Sequence, residues 1–191
     1  GNTRRFGASL DKIKQVVDVR YGEIMFGLNM VVHKGKTIFV GDTSVHEYPT
    51  SEQLAEIAVS TARVVRLFGF DPKVAFVSHS TFGQPLTSRT KHIRKAVDIL
   101  KEKEVDFEFD GDMQPDVALN SEYEELYPFS KIVGKANILI MPGQHSAAIS
   151  YKMMKTLGDT KVIGPLLIGL GLPIEIAPIR TSTSEIINLA A

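Results

Sequence analysis

The sequence predicts a three-layer α/β/α fold around a mostly parallel sheet, and three observations carry that reading. Strand-like and helix-like segments alternate along most of the chain. Several strand-like segments, such as KVAFVS (73–78) and ANILIMP (136–142), are continuous apolar runs, as expected of strands covered by helices on both faces. No linker-like tract, low-complexity segment or internal repeat divides the 191 residues.

The elements follow in order. EIMFGLNMVV (23–32) and TIFVGD (37–42) are rich in Val, Ile and Phe and flank the turn-forming HKGK, which predicts a hairpin or strand pair. In PTSEQLAEIAVSTARVVRLFGF, Thr50 and Gln53 have the spacing of a capping box, in which each side chain satisfies a free N–H of the first turn. Leu54, Ile57, Ala58, Thr61, Val65 and Phe68 then recur near helical spacing until Gly69 stops the helix. After the strand at 73–78, a helix is predicted at about 88–102, with Ile93, Ala96, Val97 and Leu100 on one side. VDFEFDG predicts a strand, PDVALN a short helix, and SEYEELYP another helix. ANILIMP is expected to be a central strand and SAAISYKMMKTLG a helix. TKVIGPLLIGLGLPIEIA is expected to supply a glycine-punctuated turn and then a strand, before a last helix capped by Ser182 and Glu185.

Composition narrows the function. A hydrophobic content of 43% is ordinary for a globular domain. Twenty-two basic residues balance 22 acidic ones, so no long-range field gathers nucleic acid or an anionic membrane, and an anion must be held by a local constellation. The expected partners are a small molecule and other subunits. The absence of cysteine excludes disulfides, thiolate catalysis and zinc–thiolate sites. No apolar stretch approaches 18 residues, and GNTRRFGASLDK lacks the apolar core of a signal peptide, so a cytoplasmic location is expected. The chain opens on Gly1 and not on methionine, which suggests either a processed tag or a piece of a longer protein.

Ligands of such sheets sit where loops leave the carboxyl ends of strands. Three loops qualify: SHSTFGQP, DGDMQPD and PGQHSAA. In the first, the hydroxyls of Ser78, Ser80 and Thr81, with Gly83 and a helix start carrying Arg89, suit an anion, although the spacing is not that of a Walker loop. In the second, Asp110, Asp112 and Asp116 are close enough to raise a divalent metal, but their spacing fits no calcium loop and Asp116 suits the first turn of a helix, so turn and capping roles are preferred and no metal is expected. In the third, His145 and Ser146 stand at a helix start without an evident acidic orienter. IGPLLIGLGLP has glycines at 164, 169 and 171 but lacks the strand-then-helix context of a dinucleotide fingerprint.

Together PKVAFVSHSTFG, DFEFDGDMQPDVAL, ANILIMPGQHSAAISYK, IGPLLIGLGLPIEI and SEIINLAA resemble, in order and spacing, the phosphate acetyltransferase/butyryltransferase family from about residue 20 to the end. The resemblance implies a dimer with the two-lobed fold shared with isocitrate and isopropylmalate dehydrogenases, and an acyl-CoA site between the lobes. GDTSVHEYPTSEQLAEIA, VDFEFDGDMQPDVALN, ELYPF and HSAAIS are similar, more narrowly, to the C-terminal phosphotransacetylase-like region of bacterial NADP-dependent malic enzymes. That likeness implies that residues 1–191 are the later part of such a region. It places the malic and NADP-binding domains, with their NADP and divalent metal, upstream and outside this chain.

Departures from the family pattern bear on activity. Active members carry a DLSRG stretch whose Ser and Arg hold acyl phosphate and CoA, with an Asp seven residues after the Ser as the base for the thiol. Counted back from the shared helix, those positions fall on Pro178, Ile179 and Glu185. Proline and isoleucine supply neither a donor nor a charge, and losing one such donor costs about 3–4 kcal/mol of transition-state stabilisation. A family loop lysine is replaced by Phe82, which keeps aromatic surface for adenine or pantetheine, and NAGN becomes HSAA at 145–148.

Together with the resemblance, these departures imply the regulatory and oligomerising region of such a malic enzyme, expected to sense acetyl-CoA or a related metabolite and no longer to transfer acyl groups. Ser80, Thr81 and Gly83 are expected at the phosphate or pantetheine end, and His145, Ser146, Tyr151, Lys152, Gly164, Pro165 and Arg180 along the cleft. One alternative is an active phosphate acyltransferase with Glu185 as base and Arg180 as phosphate clamp. Another is a structural dimerisation module with a vacant cleft.

Overall fold

A computed structural model describes residues 6–177 and 181–190. Helix α1 (Phe6–Lys14) precedes strands β1 (Phe26–His33) and β2 (Lys36–Gly41); then come α2 (Ser51–Leu67), β3 (Lys73–Val77), α3 (Ser88–Glu102), β4 (Glu108–Met113), α4 (Pro115–Leu119), β5 (Ile138–Ile140), α5 (Gln144–Leu157), β6 (Thr160–Ile168) and α6 (Thr183–Ala190). The six strands form one sheet in the order β4-β3-β5-β2-β1-β6. β4, β3, β5 and β2 pair in parallel, whereas β1 is antiparallel to both β2 and β6. Five strands thus share one direction and β1 alone is reversed, as the tight 33–36 turn of the hairpin demands.

Side chains alternate between two apolar layers. Phe39, Val74, Phe76, Ile138 and Ile140 join the α2 and α3 residues Leu54, Ile57, Ala58, Ile93, Val97 and Leu100 in one cluster. Val40, Ala75, Val77, Leu139 and Met141 face the other way, toward Ala118 of α4 and Ala147 of α5. Helices on both faces make the three layers that the apolar runs predict. A third, smaller cluster joins Leu10 of α1 to Met25, Leu167 and Leu170. The Thr50–Gln53 capping box forms at the start of α2 with both reciprocal bonds. The Ser182–Glu185 box forms at α6, where Ser182 N donates to Glu185 Oε2 (2.8 Å) and Glu185 N donates to Ser182 Oγ (3.3 Å).

Three expectations change. The strand expected at 105–111 lies at 108–113, because pairing begins at Lys73–Glu108 and continues through the DGD sequence. It continues because Gly111 (φ +152°) lacks a Cβ that would sit 2.8 Å from Phe76 O. The helix expected in SEYEELYP shrinks to a 3₁₀ turn at Ser121–Tyr123 followed by hydrogen-bonded turns, since Pro128 disfavours helical geometry at Tyr127 and donates no N–H itself. In the last third, TKVIGPLLI is the strand and PIEIA is irregular, the reverse of the expected order. Gly164 explains the first half: β6 passes β1 so closely that a Cβ there would meet Leu28 O at 2.7 Å and Asn29 Oδ1 at 2.9 Å. A register shift between Leu28 and Met30 absorbs the irregularity. PIEIA is held by side chains, with Ile174 and Ile176 packed on the third cluster and both Glu175 oxygens accepting from Leu167 N at 3.2 Å.

Segment 130–133 is tied to β4 and β3 by side chains without joining the sheet. Lys131 N donates to Asp110 Oδ2 (2.7 Å) and Val133 N donates to Glu108 Oε2 (2.8 Å). Lys73 bridges Glu108 (3.3 Å) and Val133 O (2.5 Å).

Candidate functional site

The loops after β2, β3, β4 and β5 leave the sheet at one end, because those strands are parallel and adjacent. The loop after β2 is organised by the Asp42 carboxylate, 1% exposed. Its Oδ1 accepts from the N–H groups of Gly27, Ser44 and Val45 at 2.9–3.1 Å. Its Oδ2 accepts from His46 N and from His46 Nδ1, both at 2.7 Å, which fixes the ring with its proton on Nδ1. The start of α5 docks on this loop: Gln144 N donates to His46 O (3.0 Å) and Gln144 Nε2 donates to Ser44 O (3.2 Å). His145 is exposed beside it, while Ser146 Oγ turns back to Gly143 O (2.8 Å) as a helix-end hydroxyl and not as a partner of His145.

The loop after β3 is built around a second buried carboxylate. Asp112, fully buried, accepts from Gly83 N (3.0 Å) through Oδ1 and lies 3.6 Å from Arg94 Nη1; its backbone carbonyl accepts from Phe82 N (2.6 Å). Ser80 N donates to Ser78 Oγ, and Thr81 Oγ1 accepts from Gln114 N. The Ser80 side chain is fully buried. The amides that an anion needs at Ser80, Phe82 and Gly83 are therefore spent on protein acceptors, one of them a carboxylate that repels an anion. Phe82 is half-buried and packs on other aromatic rings, 4.8 Å from Phe129 and 5.4 Å from Tyr127 between ring centroids. Asp110 is a strand residue that bonds the amides of Gly111 and Lys131, and Asp116 sits in the first turn of α4 behind Pro115.

A different group converges where β1, β6 and α5 meet. Asn29 is buried in β1 and accepts from the Thr43 hydroxyl (3.0 Å); Gly164 passes against it and Tyr151 faces it from α5. Burial pushes the Tyr151 phenol above its ordinary value of 10.0, with the Asn29 amide acting in the opposite sense. Lys152 is exposed, its ammonium 5.9 Å from the Tyr151 ring centre. Pro165 is buried beside Gly27.

Beside Gly164, β6 and α6 border a cleft of about 640 Å³ whose lining includes Val32, Val162, Leu189, Lys155, Ser182 and Glu185. Glu185 is not a poised base. The Ser182 N–H, the Lys155 ammonium (3.0 Å) and the Ser182 hydroxyl hold its pKa at about 2. Arg180, with Pro178 and Ile179, lies outside the described residues. The structure thus gathers Gly164 and Glu185 on one cleft, with Tyr151 behind Gly164. Ser80, Thr81 and Gly83 lie in a separate cluster about Asp112, and His145 and Ser146 by the loop after β2.

Glu175 carries a testable titration. The residue remains largely exposed, yet desolvation of its carboxyl outweighs the Leu167 N–H and pushes its pKa from 4.5 up to about 7. A carboxyl with a raised folded-state pKa favours the protonated folded form, so its stabilising contribution is complete below pH 4.5 and is lost as the pH rises through 7. In paired thermal melts, the wild type is expected to lose stability relative to Glu175→Gln between pH 4.5 and 8; a constant difference across that range contradicts the assignment.

Comparison with known proteins places this architecture. Residues 1–191 match the family described as phosphate acetyl/butaryl transferase. The chain belongs to this family. Among its relatives, the NADP-dependent malic enzyme of Rhizobium meliloti is 44% identical over 191 residues, which is 100% of this chain and 25% of that protein. The phosphate acetyltransferase of Clostridium acetobutylicum is 34% identical over 178 residues, 92% of this chain and 50% of that one. A phosphotransacetylase from Streptococcus pyogenes superposes with a TM-score of 0.90 at 29% identity, covering 100% of this chain and 59% of that structure. The chain therefore spans about a quarter of the malic enzyme and half of the acetyltransferase. It is homologous to the acetyltransferase-like region of NADP-dependent malic enzymes and to phosphate acetyltransferase itself. The match reaches residue 1, further than the motifs from about residue 20 onward.

Asn29, Asp42, Thr43 and Arg94 join these clusters without being marked in the sequence. None has a motif, and only Asn29 gave a signal: a polar residue inside the apolar run GLNMVV, where an uncharged amide needs a reason to be buried.

Proposed function

We propose that the chain is the regulatory and oligomerising region of an NADP-dependent malic enzyme, which oxidatively decarboxylates malate to pyruvate, and that its cleft binds acetyl-CoA or a related thioester without transferring the acyl group. The observation that carries this reading is the state of Glu185. By the resemblance it falls at the position of the family's base, but an effective base has a pKa near the working pH. With its pKa lowered to about 2, chiefly by the Ser182 N–H and then by an exposed pair with Lys155, Glu185 is first of all a helix cap. The cleft beside it is within the range of about 300–1,000 Å³ usual for small-molecule sites.

Regulation requires linkage: the ligand alters the malic reaction only as far as it binds two states of the assembly unequally. Ile149, Met153 and Leu157, exposed and four residues apart along α5, offer apolar surface for contact between copies. Calorimetric titration of acetyl-CoA into the chain is expected to give saturable heat and a raised melting temperature. No heat and no shift at millimolar ligand would overturn binding and leave a structural dimerisation module.

A further inference from the structure

The cleft between β6 and α6 holds an imbalance of charge. Among the described residues, Lys155 and Lys161 both line it, against the single carboxylate of Glu185. Lys155 is 3.0 Å from Glu185 Oε1, with the two side chains 50% and 39% exposed. Lys161, also exposed, has no carboxylate within ion-pair distance among the described residues. The hydroxyls of Thr160 and Ser184 and the amide of Asn188 lie on the same walls.

We propose that Lys155 and Lys161 form the seat for a phosphate group of the ligand, and that Lys155 reaches it by changing partner from Glu185 to phosphate. The identity of the ligand as an acyl-CoA rests on the reading above; the seat does not. Three features carry the exchange. An ion pair this exposed is a weak interaction, so a competing anion gives up little by breaking it. A phosphate offers more negative charge and more acceptor oxygens than a carboxylate, and an ammonium on a flexible stem can swing between the two. Glu185 keeps its bonds to Ser182 after Lys155 leaves, so α6 keeps its cap and the seat does not unfold as it fills. The seat would also give a phosphorylated ligand a place in a chain whose β3 loop spends its amides on Ser78 and Asp112.

The proposal fixes the sign of an effect that a merely structural Glu185 would reverse. Acetyl-CoA and, separately, pyrophosphate are titrated at low salt into the chain and its variants. Lys155→Ala and Lys161→Ala are expected to weaken both ligands by about tenfold each, with Lys155→Arg retaining most of the affinity. Glu185→Gln, which can still cap the helix, is expected to tighten both by about threefold, because Lys155 is no longer engaged. Unchanged or weaker binding in Glu185→Gln, or lysine variants that bind like the wild type, overturns the seat. Pyrophosphate binding with this pattern but no acetyl-CoA binding keeps the seat and removes the acyl-CoA reading. Binding of neither ligand removes both.

Discussion

Mixed with acetyl-CoA and inorganic phosphate, the chain is expected to release no CoA at an enzymatic rate. Acyl transfer to phosphate needs a donor for the carbonyl oxygen as it becomes an oxyanion, a cation for the phosphate, and in the reverse direction a base for the CoA thiol. Pro178 and Ile179 stand where the resemblance places the first two. Removing one oxyanion donor alone costs about 3–4 kcal/mol, or two to three orders of magnitude in rate. Glu185 falls where the resemblance places the third group, and there its carboxylate, lowered to about 2 by Ser182 and Lys155, is a poor acceptor for a thiol proton. Release of CoA, followed with a thiol reagent, should not exceed that of a chain-free control by more than a small factor. Turnover at the rate of an ordinary enzyme would instead establish an active acyltransferase with Glu185 and Arg180 in its machinery.

The second large effect is on stability. Asp42→Ala is expected to lower the melting temperature by about 10 °C. The carboxylate accepts five bonds from four backbone amides and the His46 ring. Removing a buried acceptor leaves its donors desolvated and unpaired, each at a cost of about 1–3 kcal/mol before relaxation, and a total of about 3–5 kcal/mol is the usual ceiling for such sites. At about 2–4 °C per kcal/mol for a domain of this size, the shift follows. Asp42→Asn should recover only part of it, because an amide nitrogen facing the donors of His46 cannot accept from them. A loss under 2 °C in the alanine variant would show that the loop after β2 is held by its docking on α5 and not by Asp42.

The fold was legible where local and tertiary signals agreed. Thr50 and Gln53 cap α2, and the apolar runs at 73–78 and 136–142 become inner strands because both faces of the sheet are covered. Legibility failed where a contact distant in sequence decides the local structure. TKVIGPLLI looks broken by Gly164-Pro165, yet it is a strand because Gly164 is what lets it pass Leu28 and Asn29. PIEIA looks like a strand because its apolar residues alternate, but Ile174 and Ile176 pack without a neighbour strand. The site was legible in part. Gly164 and Glu185 reach one cleft, whereas the hydroxyl-rich loop 78–84, attractive for anions in one dimension, is closed by Asp112 from the next strand. Lys155 and Lys161 carried no signal, because their shared wall exists only once α6 folds back across β6.

The ties of segment 130–133 have a further consequence, for the way the molecule opens. Glu108 and Asp110 hold the amides of residues 133 and 131, and Lys73 of the neighbouring strand holds both Glu108 and the carbonyl of Val133. A stretch with no helix or strand of its own is thereby fastened to two strands at once. Cooperative units open when their shared bonds break together, so this connection gives way with the sheet and not before it. Asp110, which along the sequence belongs to a group close enough to raise a metal, acts in space as a fastener of the chain to its own sheet.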